Sequence, residues 1–373
     1  MKRKTYLSIT LVLILCLIQF VPAFAADEVK IVVDGEEADV DAFIKDGSTY
    51  IPIRFFVELF GGKVDYKDKT VFVDTVDTNK KSPVKVTTLI ENSNLSNPEL
   101  TPEHGISMYI ETEEGNILFD TGKSDNYIEN AKKLGIDMKK TNYMVLSHAH
   151  YDHCGGVKGL IEKVKPEDLT LYIRDNFFKY NDKYHYQEKP GPKLDFTDGT
   201  PGYTFIGIDF DEKYLNEKNV KVEYIDVDEL KLTDQVSIFS NFGKSEKEKL
   251  NPAMKVKVDG EYKLDEFVEE VAIAIDTNNG IVILTGCSHT GIMNIVDTIH
   301  EKTGKDIYAV IGGTHLIEAD DARTEETIKH FKELGIQKIG LSHCTGEKAV
   351  NIFEQMAPDI SFVNSTGTVL EFK

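Results

Sequence analysis

The sequence predicts an α/β protein in which two β-sheets are covered by helices and a small α+β module precedes them. Strand-like apolar runs alternate with helical patterns from residue 84 onward, and several strands follow one another in the middle of that region. A polar linker, residues 78–83, ends the shorter N-terminal segment. Hydrophobic residues make up 41% of the 373, which suffices for a core and excludes a disordered chain.

The first 25 residues have the pattern of a signal peptide. Basic residues at 2–4 precede an apolar run from Leu7 to Val21, and Ala23 and Ala25 occupy the −3 and −1 positions of a cleavage site before Ala26. A membrane anchor is the alternative, but the run falls short of the roughly 20 residues that span a bilayer. We therefore expect a secreted or cell-surface protein with no membrane span once the signal is removed.

Residues 26–80 are expected to form the small N-terminal module. The pattern is a strand, a turn, a short helix and a strand, at residues 29–33, 46–47, 52–60 and 70–74. The segment GSTYIPIRFFVELFGGKVDY resembles the copper amine oxidase N-terminal-like stalk domain of exported bacterial proteins. That resemblance implies adhesion, spacing or packing against the larger module, and so cell-surface association. It does not imply copper binding, because residues 26–80 contain no His, Cys or Met.

Strands and helices alternate in residues 84–373. Strand-like runs are expected at 84–90, 107–110, 117–119, 143–146, 272–275, 281–284, 308–311 and 338–341. Helical patterns are expected at 126–134, 157–164, 292–302 and 324–334. The run FFKYNDKYHY, residues 177–186, is aromatic, polar and poorly periodic, and we interpret it as an inserted loop near a pocket or as a surface hairpin.

The charge balance excludes two classes of partner. The chain has 43 basic and 63 acidic residues, which gives a formal net charge of −20. Sequence-independent binding to nucleic acid or to anionic lipid needs a dense positive surface. We therefore expect no nucleic-acid partner.

Four candidate metal ligands follow the strand at 143–146 in a single turn: His148, His150, Asp152 and His153. Such groups cannot serve a core without partners, since an unpaired buried charge is costly. Imidazole and carboxylate together suit zinc, iron or manganese. Three histidines and one aspartate exceed what one open site needs, so the motif predicts a site for two divalent ions.

Three cysteines remain after signal removal, namely Cys154, Cys287 and Cys344. They are too few and too scattered for a disulfide framework. Cys287 lies two residues before His289, and Cys344 directly follows His343. Metal binding is therefore an alternative to a structural bridge.

Two motifs match the metallo-β-lactamase superfamily. HAHYDH, residues 148–153, matches its HxHxDH signature, and ILFDTG, residues 117–122, matches its strand and turn. EHGISMYIET, NAKKLGID, LTGCSHTGIMNIV, IGGTHLI and SHCTG resemble the branch of dihydropterin-ribofuranosylaminobenzene phosphate synthase-like proteins. The resemblance spans residues 84–373 and implies an αβ/βα sandwich of two mixed β-sheets flanked by helices.

The resemblance also implies a ligand set. Carried onto this sequence, His148 and His150 hold the first metal, and Asp152, His153 and His343 hold the second. The chain departs from the superfamily after the strand at 281–284, where Cys287 stands in place of the usual bridging Asp. We interpret His289 as the additional ligand, and Cys287 as either a ligand or a small packed residue.

Three residues are candidates for catalytic or supporting roles: Asp152, His315 and Asp120. His315 follows a strand and two glycines, and we expect it to face the substrate, to donate a proton or to support a ligand. Asp120 is expected to accept a hydrogen bond from a ligand imidazole and so fix its tautomer. His104 is expected to face the site as well.

These ligands predict a metallohydrolase with two divalent ions, most simply zinc, with iron or manganese as alternatives. Two such ions can share a water and lower its pKa, and the resulting metal-bound hydroxide would attack a small ester, phosphodiester or lactone-type substrate. One alternative is a pterin-linked synthase, as the branch name implies, although its precursors are cytoplasmic and export argues against it. Another is a noncatalytic surface binding protein. Substrate choice is expected to lie in residues 177–215.

Overall fold

The computed structural model describes residues 29–373 except 34–35, 60, 68, 75–80, 96 and 195. The predicted signal peptide, residues 1–25, and part of the linker lie outside the described residues. Clustering of contacts divides the chain into two compact units, with the boundary between Lys80 and Lys81. In the described part of the chain, no helix is long and apolar enough to cross a membrane.

The first unit consists of short antiparallel hairpins and one helix in its described part. The hairpins pair Ile31–Val33 with Glu36–Ala38, Phe43–Lys45 with Ser48–Tyr50, and Lys63–Lys67 with Thr70–Asp74. The helix Ile53–Leu59 follows Pro52, whose fixed φ suits a helix start. Asp46 and Gly47 have φ of 53° and 76°, the left-handed pair that a tight hairpin turn requires. The turn and the helix start therefore lie where the sequence predicts them.

Two seven-stranded mixed sheets dominate the second unit. The first sheet, from edge to edge, consists of Lys221–Ile225, Thr170–Arg174, Thr141–Val145, Gly115–Phe119, Ser107–Thr112, Val84–Ile90 and Val369–Phe372. The second consists of Glu229–Lys231, Val236–Phe239, Ala272–Thr277, Gly280–Thr285, Ile307–Gly313, Lys338–Ser342 and Ser361–Val363. Four neighbouring strands are parallel in each sheet, and the others are antiparallel.

Alternation along the strands creates the layers. In Gly280–Thr285, Val282 and Leu284 join the core that the two sheets share, whereas Ile281 and Ile283 pack against helices on the outer face. The outer helices are Asn126–Lys133 and Val157–Gly159 on the first sheet, and Ile292–Thr303, Asp321–Glu333 and Glu347–Met356 on the second. Short α-helices also lie at Tyr151–Cys154 and Glu212–Glu217, a π-helix at Leu160–Val164, and 3₁₀ helices at Met138–Lys140 and His343–Thr345. This arrangement of two mixed sheets between helices confirms the predicted fold class.

A smaller sheet replaces the loop or surface hairpin expected at residues 177–186, so that interpretation is wrong. Its strands are Gly202–Phe205, Lys183–Gln187, Met254–Val258 and Glu261–Leu264. A short 3₁₀ helix, Phe177–Tyr180, precedes them. Lys183 and His185 are buried while Tyr184 and Tyr186 are partly exposed. Buried and partly exposed side chains alternate here as in other strands. Because the buried positions carry polar residues, the sequence lacks the alternation of hydrophobic and polar residues that predicts a strand.

Candidate metal centre

The candidate centre lies where parallel strands of both large sheets end. Thr141–Val145 leads into the motif of residues 148–153, and Gly280–Thr285 leads into Cys287 and His289. Ile307–Gly313 and Lys338–Ser342 lead into His315 and His343. Carboxyl ends of parallel strands collect loop residues at one edge of a sheet. The fold therefore brings together residues that are almost 200 positions apart.

Four groups of three side chains have donor atoms that all lie within 4.8 Å of one another. They are His148, Cys287 and His289; His153, Cys287 and His343; Cys287, His315 and Cys344; and His104, Asp152 and His343. The structure thus collects all but one of the seven predicted ligands into such groups. His104, His315 and Cys344 also belong to these groups. Of the three, only Cys344 was expected from the sequence as a possible metal ligand.

Cys287 occupies a central position between two sets of imidazoles. It shares one group with His148 and His289 and another with His153 and His343. Its Sγ lies 3.1 Å from His153 Nε2. Burial raises the pKa of the Cys287 thiol well above its ordinary value, so metal binding there would have to displace a proton. This is the position that a bridging ligand needs, and it fits the location of the missing Asp.

Asp152 joins the second set through two histidines. Its Oδ2 lies 3.1 Å from His104 Nε2 and 3.2 Å from His343 Nε2. Burial opposes ionisation of the carboxyl group, but His153 and the hydrogen bonds from His104 and His343 hold the pKa of Asp152 well below its usual range. Asp152 therefore carries a negative charge toward this set.

His150 belongs to none of the four groups, although the sequence interpretation pairs it with His148. Its Nδ1 lies 3.0 Å from His148 Nε2, and its ring centroid is 4.8 Å from that of His289. Its Nε2 is buried and has no hydrogen-bond partner among the described residues. His150 is thus adjacent to the first set of donors, with one nitrogen still available.

The side chains present fit divalent metal ions. Burial lowers the pKa of His148, His150 and His289 well below the ordinary value, so these rings are neutral, which is the form that binds metal. Both ring nitrogens of His289 are buried and have no hydrogen-bond partner among the described residues. Leaving such atoms unpaired is costly, and a metal ion would satisfy them. Nitrogen, sulfur and carboxylate donors together are a zinc-type set.

Asp120 lies directly behind His153. Its Oδ2 is 2.6 Å from His153 Nδ1 and 2.7 Å from Ser147 Oγ, and its Oδ1 accepts a hydrogen bond from the Ser147 backbone N–H. Burial lowers the pKa of His153, but Asp120 and Asp152 outweigh burial and raise it to about 9. A proton held on Nδ1 by Asp120 leaves Nε2 directed at Cys287.

Two further buried carboxylates hold ligand loops, and sequence reasoning missed both. Glu91 Oε1 accepts a hydrogen bond from the His343 backbone N–H at 2.7 Å. Glu270 Oε1 accepts one from the His289 backbone N–H at 2.7 Å, and Oε2 accepts two from Thr290. Burial raises the pKa of Glu270 to about 7. Each glutamate lies next to a strand-like run in the sequence. This position is only a weak indication of a role at the site, because many charged residues lie next to strands.

The ligand loops contain strained backbone. Asp120, Ser288, His315 and His343 all adopt positive φ, between 48° and 65°. Such conformations cost about 1–3 kcal/mol each in residues other than glycine, and they persist where the surroundings enforce them. Their concentration around one cavity is typical of a functional site.

His315 stands beside the first set of donors. Its ring centroid lies 4.1 Å from that of His289, and its Nε2 is 3.8 Å from Glu318 Oε2. Neither ring nitrogen has a hydrogen-bond partner among the described residues. The ring lines the same cavity as His150 and Asp152, so the structure places it where a proton donor or a ligand would stand.

Two family models and two relatives match the chain. The model of the metallo-beta-lactamase superfamily matches residues 100–230, and that of the copper amine oxidase N-terminal domain matches residues 24–97. The chain is 32% identical over 310 residues to a 7,8-dihydropterin-6-methyl-4-(beta-D-ribofuranosyl)-aminobenzene-5'-phosphate synthase of Methanocaldococcus jannaschii, covering 80% of this chain and 99% of that protein. It is 31% identical over 254 residues to an uncharacterized protein of the same organism, covering 68% and 88%.

A solved structure adds a third similarity. A metal-dependent hydrolase of the beta-lactamase superfamily superimposes with a TM-score of 0.63 at 29% identity, covering 77% of this chain and 98% of that one. The similarity therefore extends over nearly the whole length of both the synthase and the hydrolase. With the matching motifs and sheets, these similarities lead to one conclusion: the chain belongs to the metallo-β-lactamase superfamily.

Proposed function

We propose that the protein is an exported metallohydrolase that binds two divalent ions and cleaves a small ester, phosphodiester or lactone-type bond. The observation that carries the proposal is the position of Cys287, which shares donor groups with His148 and His289 on one side and with His153 and His343 on the other. The similarity to a metal-dependent hydrolase supports the reaction class. Cleavage of β-lactams does not follow from the name of the superfamily.

We assign the following roles to the residues of the centre. When bound, two divalent ions would activate a water molecule and stabilise negative charge on the substrate. His148, His150, His289 and Cys287 would hold one ion, and Asp152, His153 and His343 the other, with Cys287 between them. Asp120 orients His153, and His315 is placed at the cavity to pass a proton to the leaving group. Thiolate with imidazole favours zinc over iron or manganese.

Metal content measured alongside turnover tests the proposal. We expect about two equivalents of metal per chain by elemental analysis, since two sets of donors are present. His148→Ala and Asp152→Ala should each lower metal content and reduce hydrolysis by at least about 100-fold. His300→Ala, which changes a partly exposed imidazole on the helix Ile292–Thr303, is the matched control. A chain that binds no metal after reconstitution would instead be a noncatalytic binding protein.

A pterin-linked synthase is the second candidate. The observation in its favour is the 32% identity to the Methanocaldococcus jannaschii synthase over 99% of that protein. Incubation of the metal-loaded protein with a dihydropterin and a ribofuranosyl-aminobenzene 5'-phosphate, the two parts of that synthase's product name, distinguishes the two. A pterin-containing condensation product would favour the synthase, whereas hydrolysis of simple esters without such a product favours the hydrolase.

Export is a separate part of the proposal. It rests on the basic, apolar and small-residue pattern of residues 2–25. N-terminal sequencing of the protein recovered from its native host should yield Ala26 as the first residue. A mature chain that still starts at Met1 inside the cell would contradict export and leave the metal chemistry untouched.

A further inference from the structure

We propose that the substrate inserts a short, uncharged acyl chain into the cavity beside the metal centre and that Phe196 limits its length. This inference rests on the proposed hydrolase function and narrows its substrate class to small carboxylic esters and lactones. It excludes phosphorylated substrates as the preferred class. Three features of the cavity carry it: an apolar wall, a small volume and the charge of the lining.

The cavity has two chemically different sides. Candidate donors, including His150, Asp152 and His289, form one side. The apolar part of the lining consists of Tyr151, Phe196, Ile206, Met254 and Ile317. Ile206 and Met254 belong to a small buried cluster against which Tyr151 and Phe196 pack. If the ester carbonyl of a substrate lies at the candidate donors, its acyl chain would therefore contact these apolar residues.

The volume limits the size of that substituent. The cavity measures about 40 Å³, which includes the space between the candidate donors that metal ions would take, while a single water needs roughly 10–15 Å³ when volume is measured in the same way. An acetyl or butyryl chain matches such a space far better than a long acyl chain does. The fit therefore favours short substrates.

The charge of the lining disfavours a free phosphate group. Among the described residues that line the cavity, the charged side chains other than histidine are the carboxylates Asp152 and Glu318. Lys183 lies behind Phe267, 4.3 Å from the ring centroid, and is paired with Asp265 and Glu269. Its charge is thus already compensated by two carboxylates, and Lys183 does not line the cavity. A phosphate away from the metals would meet carboxylates rather than cations.

Phe196 closes the apolar side. Its ring centroid lies 5.0 Å from that of His185 and 6.2 Å from that of His104. The residue belongs to the connection between the strands Lys183–Gln187 and Gly202–Phe205, and it is partly buried. Removing its ring would enlarge the cavity and leave every candidate donor side chain unsubstituted, although His104 would lose a ring neighbour.

A chain-length series tests the proposal on the zinc-loaded full-length protein. We expect kcat/KM to fall at least about 10-fold from p-nitrophenyl butyrate to p-nitrophenyl octanoate, because the longer chain exceeds the cavity. Phe196→Ala should raise the octanoate-to-butyrate ratio by about 10-fold. Phe205→Ala is the matched control, since this phenylalanine is 51% exposed and does not line the cavity. It should leave the ratio unchanged.

Calorimetric binding of butyrate and octanoate supplies a readout that does not depend on turnover. Tighter binding of butyrate, with octanoate gaining in Phe196→Ala, supports the inference even if neither ester is cleaved. A flat chain-length profile, or a preference for bis(p-nitrophenyl) phosphate over the esters, would overturn it while leaving a hydrolase in place. Failure to cleave either ester or phosphodiester would count against the proposed function instead.

Discussion

Individual side chains at the centre are held in place before any metal arrives. Asp120, Glu91 and Glu270 each accept a backbone N–H from the loop of a candidate ligand, at Ser147, His343 and His289 respectively. Hydrogen bonds to a charged acceptor are stronger than neutral ones. The donors are therefore fixed by buried carboxylates, which reduces the ordering that metal binding must otherwise impose.

Among the individual side chains, Cys287 gives the most direct prediction. Cys287→Ser removes a soft donor shared by three of the four groups, so we expect metal affinity to fall at least about 10-fold and metal content to drop toward one equivalent. Competition with a chromogenic chelator measures the affinity. Cys154→Ser is the matched control, because this buried thiol donates to the His148 carbonyl and belongs to no candidate metal group among the described residues. Equal affinities in the two variants would mean that Cys287 is a packed residue.

Asp120 permits a second test of positioning. Asp120→Asn replaces one acceptor oxygen with an N–H donor, so the side chain can no longer accept from the Ser147 backbone N–H at one position and from His153 Nδ1 at the other. The His153 ring therefore loses its fixed tautomer. We expect metal affinity to fall about 10- to 100-fold with the fold retained. Isothermal titration with zinc measures this change, and circular dichroism checks the fold. Asp137→Asn, at an exposed carboxylate that caps a short 3₁₀ helix, should leave affinity unaltered.

Some residues of the candidate site can be identified from the sequence, and others only from the structure. His148, His150, Asp152 and His153 stand together in the chain, so one local pattern is enough to select them. His343 and Cys287 come from distant loops, and a resemblance to a family was needed to connect them. Neither the local pattern nor the resemblance identifies Glu91. Its contact with His343 spans 252 positions, so predicting it requires the pairing of both sheets to be known.

Whole strands and helices were predictable where their pattern was hydrophobic. The strands at 84–90, 272–277 and 280–285 bury apolar residues on both faces, and the sequence identifies each of them to within two residues. Lys183–Gln187 was missed because its buried positions carry lysine and histidine. Ionic pairing of Lys183 with Asp265 and Glu269 is what permits that burial, and this pairing is invisible in the local sequence.

The helix Ile292–Thr303, which directly follows the His289 loop, has an unusual N-terminus. Gly291 offers no side-chain cap, and Glu248 from another loop accepts a hydrogen bond from the Asn294 N–H at 2.8 Å. Glu248 Oε1 also lies 3.2 Å from Arg323 Nη2. We expect Glu248→Ala to cost about 1–3 kcal/mol in the free energy of unfolding, because it leaves buried donors without their acceptor.

Glu248 also predicts a pH dependence. Burial raises its pKa above the ordinary value of 4.5, so the folded state holds this proton more tightly than the unfolded state does. The corresponding stability is present below pH 4.5 and is lost as the pH rises through the folded-state pKa. The unfolding free energy of the wild type, minus that of Glu248→Gln, should therefore decrease with rising pH in urea titrations. Glu246→Gln, at an exposed neighbour, supplies the comparison, and a difference that increases with pH would contradict the assignment.

At the scale of the whole molecule, the two units differ in what they contribute. All candidate donors and the carboxylates that hold them come from the second unit, between Glu91 and Cys344. The first unit has no His, Cys or Met in residues 26–80 and so offers few soft donors. Chemistry is therefore expected to belong to the second unit alone.

A truncated chain that starts at Lys81 tests this division. We expect it to retain the metal content of the full-length protein and kcat/KM within about twofold, since the centre is complete without the first unit. Elemental analysis and ester hydrolysis measure both quantities. A second truncation that starts at Asn92 removes the strand Val84–Ile90, which lies between Ser107–Thr112 and Val369–Phe372 in the first large sheet. Because that strand is almost entirely buried, the shorter chain should lose cooperative unfolding.

Loss of metal in the Lys81 truncation, with cooperative unfolding retained, would show that the first unit takes part in the metal centre after all.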